Sequence, residues 1–286
     1  MMKLRKVIKT VRGEKAIDGA GVHLVRVLGH GTVRDFDPFL MLDSFDSTNP
    51  PDYIEGFPFH PHRGIETLTY LIEGEMEHED SLGNKGTIFS GDSQWMTAGS
   101  GIMHQEMPKA APHMLGLQIW INLPQEEKMA TPAYFGITKE MAAIKEEEFD
   151  TVRVVSGKYK DLEGVKAPHW QVTFYDITVN PEKEVTLDTI SGENVFVFLI
   201  LGDAQINDEI YTEKTAILFD EEGDSITIKA LDKPCRFMFF SGKKINEPIS
   251  WGGPIVMNTR EELQNAFDEL RSGEFIKHAP SGTKHK

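Results

Sequence analysis

The sequence predicts an all-β protein made of two related β domains and one C-terminal helix. Three observations carry this prediction: short alternating segments separated by glycines, a faint internal repeat, and a single helical stripe near the end. With 286 residues, the chain is long enough for two domains that each bury a core. We expect the first domain at residues 1–135, a linker at 136–150, and the second domain with the terminal helix at 151–286.

The predicted strands are short runs in which apolar residues alternate with polar ones or dominate. Glycines and turn-forming clusters separate the runs, a rhythm typical of an all-β sandwich or barrel. The cluster DSLGNKG at 80–86 should close a hairpin, because its residues tolerate positive φ. The predicted strand segments are 66–72, 86–89, 93–96, 152–155, 171–179, 195–201 and 225–230.

An internal repeat indicates that the two domains are related. YLIEG at 70–74 resembles FLILG at 198–202, and GDS at 91–93 recurs at 223–225. The first pair is offset by 128 residues and the second by 132. The charged stretch between the halves, with the run KEEE at 145–148, is the predicted linker. We therefore expect two copies of one β fold.

The terminal helix is predicted from its caps and its apolar spacing. Thr259 and Glu262 have the spacing of a capping box, and Gly273 is positioned to end the helix. Between them lies an i, i+3, i+4, i+7 stripe, formed by Leu263, Ala266, Phe267 and Leu270. This stripe should pack on the body of the protein.

Composition argues against several classes of function. The formal net charge of -15 disfavours direct nucleic-acid binding, which depends on Lys and Arg. The longest apolar run, residues 195–201, is too short to cross a membrane. One cysteine, Cys235, excludes an intramolecular disulfide, and the basic start lacks the apolar stretch of a secretory signal. We therefore expect a cytoplasmic protein that does not enter a membrane.

Two pairs of side chains have the spacing of metal ligands. His60 and His62 are two residues apart, as are His104 and Glu106. In a strand, such residues point to the same face about 6 to 7 Å apart, so each pair offers two donors in one direction. Imidazole and carboxylate without thiolate suit Fe, Mn, Co, Ni, Cu or Zn. The sequence therefore predicts one transition-metal site formed by two neighbouring strands.

Glu66 is the alternative carboxylate ligand in the first domain. Glu66 is an even number of residues from His62, so both side chains would point to the same face of one strand. An undistorted strand, however, would place Glu66 about 13 Å beyond His62. Glu106 lies one same-face step from His104 and is the preferred ligand, with Glu66 as the alternative if a bulge intervenes.

The second domain should lack a metal site. The repeat offsets carry the four ligand positions onto residues that do not form a metal set: Asp188, Ile190, Arg236 and Met238. Near the predicted metal strands, four large side chains are candidates for an aromatic-binding pocket, with ordinary core packing as the competing interpretation: Trp95, Met96, Met103 and Met107.

The segments around these ligands resemble the pirin family of the cupin superfamily. FHPHRGIETLTYLIEG at 59–74, DSLGNKG at 80–86 and GDSQWMTAGSGIMHQEMP at 91–108 carry the resemblance, which DPFLMLD at 37–43 and WGGPIVMN at 251–258 extend over most of the chain. The resemblance implies a bicupin, in which two antiparallel cupin β-barrels lie face to face. It also implies one metal, usually iron, in the N-terminal barrel only, with ligands that map onto His60, His62, His104 and Glu106.

The resemblance implies two kinds of function. One is an Fe(II)-dependent dioxygenase that cleaves a flavonol such as quercetin with O2, in which Glu106 accepts the proton of the enolic hydroxyl. The alternative is an iron-dependent redox-sensing regulator that binds a protein partner, either a transcription factor or a metabolic enzyme. A basic patch at the N-terminus is expected to protect an edge strand from aggregation, and its alternative role is the docking face of such a regulator; it is formed by Lys3, Arg5, Lys6, Lys9, Arg12 and Lys15.

Overall fold

Strands form most of the computed structural model, which describes residues 3–278. The all-β prediction with one C-terminal helix is confirmed. The first strands are β1 (Val7–Arg12), β2 (Glu14–Asp18), β3 (Val22–Leu28), β4 (Phe39–Ser47), β5 (Phe57–His62), β6 (Ile65–Glu73), β7 (Glu75–Asp80), β8 (Lys85–Phe89), β9 (Ser93–Thr97), β10 (Ile102–Pro108), β11 (Met114–Asn122) and β12 (Ala133–Ile137). Short 3-10 turns lie at Pro50–Asp52 and Gln125–Glu127.

The remaining elements continue the β pattern up to a single helix. They are β13 (Ala143–Glu146), β14 (Asp150–Ser156), β15 (Lys158–Tyr159), β16 (Leu162–Glu163), β17 (Val172–Val179), β18 (Glu184–Asp188), β19 (Asn194–Leu201), β20 (Ala204–Ile206), β21 (Glu209–Tyr211), β22 (Thr215–Phe219), β23 (Ser225–Ala230), β24 (Cys235–Gly242), β25 (Ser250–Gly252), β26 (Ile255–Met257) and α1 (Arg260–Ser272).

The chain divides into two compact units. Among the described residues, the first unit contains 15–30, 39–139 and 245–278, and the second contains 3–14, 31–38 and 140–244. The first unit has a seven-stranded sheet of order β12-β9-β6-β11-β4-β3-β2 and a four-stranded sheet of order β5-β10-β7-β8. The second has the sheets β1-β22-β19-β24-β17-β14-β13 and β18-β23-β20-β21. Both units therefore use the same pairing pattern.

Both chain ends belong to a different unit from the one that the sequence predicts. At the N-terminus, β1 pairs antiparallel with β22 and extends the large sheet of the second unit. At the C-terminus, α1 packs on β26, where Ala266 is buried beside Ile255, Met257 and Phe275 of the first unit. The predicted domain boundaries change at both ends, because each terminal segment finds its strand or apolar partners in the other half of the chain.

The capping of α1 follows the sequence prediction. The Thr259 side chain accepts a hydrogen bond from the Glu262 backbone, and the Glu262 carboxylate accepts one from the Thr259 backbone. Gly273 ends the helix in the left-handed conformation, with φ of 81°. Within residues 3–278 the one α-helix has 13 residues and is too short and too polar to cross a bilayer.

The internal repeat is present, but only one of its two sequence matches is structurally equivalent. YLIEG and FLILG end the matching strands β6 and β19. The first GDS leads into β9, which corresponds to β22, whereas the second GDS leads into β23, which corresponds to β10. The offset of 132 residues is therefore wrong, because it aligns strands that occupy different places in the two units.

The corrected register also changes the positions that correspond to the metal ligands. When Gly74 is aligned with Gly202, the strand pairings of the two small sheets can be compared directly. They place Leu187, Ile226 and Ile228 at the positions that His60, His104 and Glu106 occupy in the first unit. The sequence had predicted Asp188, Arg236 and Met238 at these three positions. Thr189, and not the predicted Ile190, corresponds to His62. Leu187, Ile226 and Ile228 belong to the buried apolar core of the second unit, so apolar packing fills that place.

The basic N-terminal patch is partly buried and partly exposed. Arg5 is fully buried, and its guanidinium donates to three backbone carbonyl groups of the second unit. Lys3 forms an ion pair with Glu222, and Lys9 forms one with Asp35. Half of the patch is therefore buried or paired within its own unit, while Lys6, Arg12 and Lys15 are exposed. β1, which carries part of the patch, is an edge strand of the large sheet.

Candidate metal centre

Three of the four predicted ligands come together because two strands pair in the expected way. β5 and β10 are antiparallel, with His104 opposite His60 and Ile102 opposite His62. Residues of one parity share a face, so the three imidazoles converge on one side of this ladder. One ring nitrogen from each of His60, His62 and His104 lies within 4.8 Å of those of the other two. This group is the candidate metal centre.

Two of the three imidazoles are held in the tautomer that a metal requires. His60 Nδ1 lies 2.9 Å from the Pro58 carbonyl oxygen, and His62 Nδ1 lies 3.1 Å from the Pro254 carbonyl oxygen. A carbonyl oxygen can only accept, so each neutral ring carries its hydrogen on Nδ1. The two Nε2 atoms, which then both present lone pairs, are 3.1 Å apart. When both rings are neutral, the two facing lone pairs at this distance repel unless a metal ion or a proton lies between them.

Burial keeps the inner histidines neutral. Desolvation, with His60 beside it, lowers the pKa of His62 to about 3 despite the hydrogen bond to Pro254. Desolvation, followed by the nearby His62 and His60 rings, holds the pKa of His104 well below its ordinary value. Neutral imidazole is the form that binds a metal ion. Both rings are therefore ready to act as ligands at neutral pH.

His104 shows most directly that the site fits a metal. The side chain is 2% exposed, and neither of its ring nitrogens has a hydrogen-bond partner among the described residues. Leaving such a buried polar group unpaired costs about 1 to 3 kcal/mol. A metal ion bound between the three rings would engage one of these nitrogens and the two opposed Nε2 atoms. The residues present fit a borderline transition metal such as iron.

The predicted fourth ligand, Glu106, is buried but lies outside the compact histidine group. Thr69 Oγ1 donates to Glu106 Oε1 at 2.9 Å, and Gln118 Nε2 donates to Oε2 at 2.8 Å. Trp120 Nε1 donates to Gln118 Oε1 at 3.1 Å, and because an indole N–H can only donate, it fixes which way the amide faces. The Glu106 carboxylate is thus oriented through both oxygens beside the histidines.

Glu66 is not a suitable alternative ligand. Gly64, with φ of 76°, turns the chain between β5 and β6, and these strands belong to different sheets. The parity and the distance counted from His62 along one strand therefore do not apply. Glu66 Oε1 instead accepts a hydrogen bond from Thr97 Oγ1 at 2.7 Å, and the residue does not line the cavity described next.

The histidines open into a cavity of about 580 Å³. His60, His62 and Glu106 line it, while His104 lies against the rings of His60 and His62. Large apolar side chains form much of the wall: Met41, Phe45, Phe57, Trp120 and Trp251. His30 stacks on Trp251 with ring centroids 3.9 Å apart. A mostly apolar cavity with a few directed polar groups is typical of a small-molecule site.

Of the two interpretations of Trp95, Met96, Met103 and Met107, the structure favours core packing over a place in the cavity wall. None of the four candidates is a cavity-lining residue, and Trp95 and Met96 are fully buried within the large sheet. The residues that the sequence reasoning missed include Gln118 and Trp251. A polar residue in the middle of the apolar run MLGLQIWIN was a usable signal for Gln118. No local pattern indicated that Trp251, far along the chain, lines the same cavity.

The fold and the histidine site define the class as a bicupin with a candidate metal centre in its N-terminal cupin. The family model described as Pirin matches residues 21–121, and the model described as Pirin C-terminal cupin domain matches residues 174–276. The chain therefore belongs to the pirin family.

Individual relatives match over nearly the full length. A pirin-like protein of Caulobacter vibrioides is 37% identical, with 96% of this chain and 100% of the relative covered. Human pirin is 35% identical, with coverages of 94% and 93%. The crystal structure of quercetin 2,3-dioxygenase from Acinetobacter baumannii has a TM-score of 0.88 at 30% identity and covers 96% of this chain and 99% of that one.

Proposed function

We propose that this protein is a metal-dependent dioxygenase that cleaves hydroxylated flavonols such as quercetin. The proposed ligands are the clustered His60, His62 and His104, with Glu106, which lies outside that cluster and lines the same cavity, as the fourth. Fe(II) is the proposed ion, and the same donors also suit Mn, Co, Ni, Cu and Zn. The observation that supports this proposal most directly is the cluster of three imidazole nitrogens, which opens into an aromatic-walled cavity. The likeness to the Acinetobacter baumannii quercetin 2,3-dioxygenase supports the choice of substrate.

When bound, the metal supplies Lewis acidity and open coordination positions. The residues of the chain do the rest of the work. Pro58 and Pro254 hold the Nδ1 hydrogens, so the Nε2 lone pairs of His60 and His62 stay directed into the site. The apolar walls exclude water and position a planar substrate. Each turnover consumes one flavonol and one O2 and yields one carbon monoxide and one ester of the two remaining ring fragments, which retains both atoms of O2.

Glu106 is the proposed proton acceptor. It lines the cavity, and the hydrogen bonds from Thr69 and Gln118 orient its carboxylate. Deprotonating the enolic hydroxyl of the flavonol makes the substrate electron-rich enough to react with O2, and a positioned carboxylate contributes typically 10²- to 10⁴-fold in such a step. Replacement by glutamine keeps the shape and removes the base.

The test is carbon monoxide release from Fe(II)-loaded protein that receives quercetin and then air. Wild-type protein should release carbon monoxide, and Glu106→Gln should lose at least about 100-fold of that rate. Glu77→Gln is the matched control, because Glu77 lies on the neighbouring strand β7 with an exposed side chain paired to Lys109. Unchanged turnover in Glu106→Gln would overturn the base assignment, and no turnover by wild type would overturn the dioxygenase.

The regulatory alternative has its own outcome in a companion experiment. Oxidised and reduced iron-loaded protein is immobilised and exposed to extract from its own source. A partner retained by only one of the two states, without flavonol turnover, would favour a redox-sensing regulator. Turnover without a state-dependent partner supports the dioxygenase.

A further inference from the structure

A row of polar side chains crosses the large sheet beneath the cavity. Arg26 of β3 is opposite Asp43 of β4, Asp43 is opposite Gln118 of β11, and Gln118 is opposite Thr69 of β6. Residues at one register on adjacent antiparallel strands point to the same face. The four side chains therefore lie side by side over four neighbouring strands, and Glu106 contacts Gln118 and Thr69 at one end.

The other end of the row is a charged cluster that also lines the cavity. Arg26 donates to both oxygens of Asp43, at 2.9 and 2.7 Å, and to Asp18 Oδ2 at 2.6 Å. Asp43 is 4% exposed, whereas the side chains of Arg26 and Asp18 are 36% and 49% exposed, so a buried carboxylate meets a partly exposed guanidinium. All three residues line the cavity. Two carboxylates share one guanidinium, so this end of the cavity is rich in hydrogen-bond acceptors.

We propose that Asp18, Asp43 and Arg26 form a specificity subsite of the cavity that binds a neutral hydroxyl group of the ligand. The proposal deepens the proposed function and rests on it for the identity of the cavity as the ligand site. Carboxylate oxygens that already accept from Arg26 keep lone pairs for a further donor. A hydroxyl supplies that donor without adding charge.

The charge balance determines which polar groups the subsite accepts. One positive and two negative groups repel a ligand carboxylate, which would also leave its hydration shell on entering an apolar cavity. A hydroxyl bonded to a carboxylate forms the stronger, charge-assisted type of hydrogen bond. The subsite therefore selects phenols over aromatic acids.

The row relates the subsite to Glu106. Glu106 bonds both Gln118, one strand from Asp43, and Thr69, two strands from it. Adjacent strands lie about 4.8 Å apart, so Asp43 is separated from the residues that bond Glu106 by about 5 to 10 Å across the sheet. A ligand that contacts both Asp43 and Glu106 therefore carries polar groups separated on that scale.

Anaerobic binding of paired flavonols tests the subsite without turnover. Metal-loaded protein is titrated with quercetin, which carries two hydroxyls on its pendant ring, and with the 3,5,7-trihydroxyflavone that has none there. Quenching of tryptophan fluorescence reports binding, because Trp120 and Trp251 line the cavity. Wild type should bind quercetin at least about tenfold more tightly, and Asp18→Asn should reduce this preference several-fold.

Control variants separate the subsite from general effects of charge or folding. Asp46→Asn changes a carboxyl on the same strand as Asp43, but Asp46 bonds to His113 away from the cavity, so its preference should match wild type. Asp43→Asn should also lose the preference, with its melting curve measured to confirm folding. Equal affinities of wild type for the two flavonols, or an unchanged preference in both Asp18→Asn and Asp43→Asn, would overturn the subsite.

The proposed function fails in a different way. A hydroxyl preference without carbon monoxide release under air retains the subsite and overturns the dioxygenase. Carbon monoxide release with no hydroxyl preference retains the dioxygenase and overturns the subsite. A flavonol with a carboxylate on the pendant ring adds a further check, since it should bind wild type more weakly than the unsubstituted compound.

Discussion

At the scale of single residues, the histidine site depends on which ring nitrogens carry a hydrogen. Backbone carbonyls accept the Nδ1 hydrogens of His60 and His62, and His104 has no partner for either nitrogen among the described residues. Each of these features costs stability when no cation is bound, because lone pairs repel and a buried polar group is unpaired. The protein thus keeps an arrangement that is unfavourable without a metal, as functional sites commonly do.

The unpaired His104 predicts a stabilising substitution. His104→Leu should raise the free energy of unfolding of metal-free protein by about 1 to 2 kcal/mol, because it replaces an unsatisfied buried imidazole with an apolar side chain. Urea unfolding of chelator-treated protein measures the change. His113→Leu is the control, since the surface His113 bonds to Asp46 and gains nothing from becoming apolar. A loss of stability in His104→Leu would show that the ring has a structural partner.

The depressed pKa of His62 predicts how metal-free protein responds to acid. An unfolded histidine titrates near 6.5, while His62 in the fold titrates at about 3, mainly because of desolvation. Between these values the unfolded chain binds the extra proton, so stability present above pH 6.5 is lost as the pH falls towards 3. The loss from this group is at most about 1.4 kcal/mol per pH unit.

Urea unfolding of metal-free protein at pH 7, 6 and 5 measures this slope. His62→Gln cannot titrate, so its stability should depend less on pH than that of wild type. The same slope in wild type and His62→Gln would contradict a depressed pKa at this residue.

At the scale of elements, the sequence predicts the pieces better than their connections. The hairpin at 80–86, the capped helix and the two ligand-bearing strands follow from local spacing, and the structure has each of them. Glu66 was kept as an alternative ligand because counting along a single strand puts it on the same face as His62. The left-handed Gly64 separates these residues into two strands, so that count does not apply. The second GDS was misaligned because three residues recur easily by chance, whereas equivalence is set by long-range strand pairing.

Gly64 gives a direct test of that break between strands. A Cβ atom there would lie 2.0 Å from the Val256 carbonyl oxygen, and its φ of 76° is also unfavourable for other residues. Gly64→Ala should cost about 3 kcal/mol or more. Gly83→Ala is the matched control, with a similar φ of 87° but open space around it, and should cost about 1 kcal/mol. Similar melting temperatures for the two variants would contradict the close approach.

At the scale of the whole molecule, the candidate site uses distant parts of one chain. His62 takes its orientation from Pro254, which is 192 residues away in sequence. The buried Arg63 forms an ion pair with Glu269 of α1 at 2.7 Å and donates a hydrogen bond to the Phe275 carbonyl oxygen at 2.8 Å. The C-terminal segment is therefore part of the first unit and of its site, which no local pattern in the sequence could indicate.

Truncation tests this role of the C-terminal segment. A chain ending at Lys244 keeps all four predicted ligands but lacks Pro254, Trp251 and α1, so we expect it to lose most of its metal affinity and much of its stability. A chain ending at His278 is the control and should bind metal like the full chain. Metal content and thermal unfolding of both chains give the answer. Full metal binding by the shorter chain would contradict the structural account.

The central claim is that three imidazoles in one cavity bind one metal ion per chain. Elemental analysis of protein purified from its own source tests it most directly, with His104→Leu prepared in the same way. We predict about one transition-metal ion per wild-type chain and less than about one-tenth of that in the variant. Wild-type protein without a transition metal, or a variant that keeps a full equivalent, would contradict the claim.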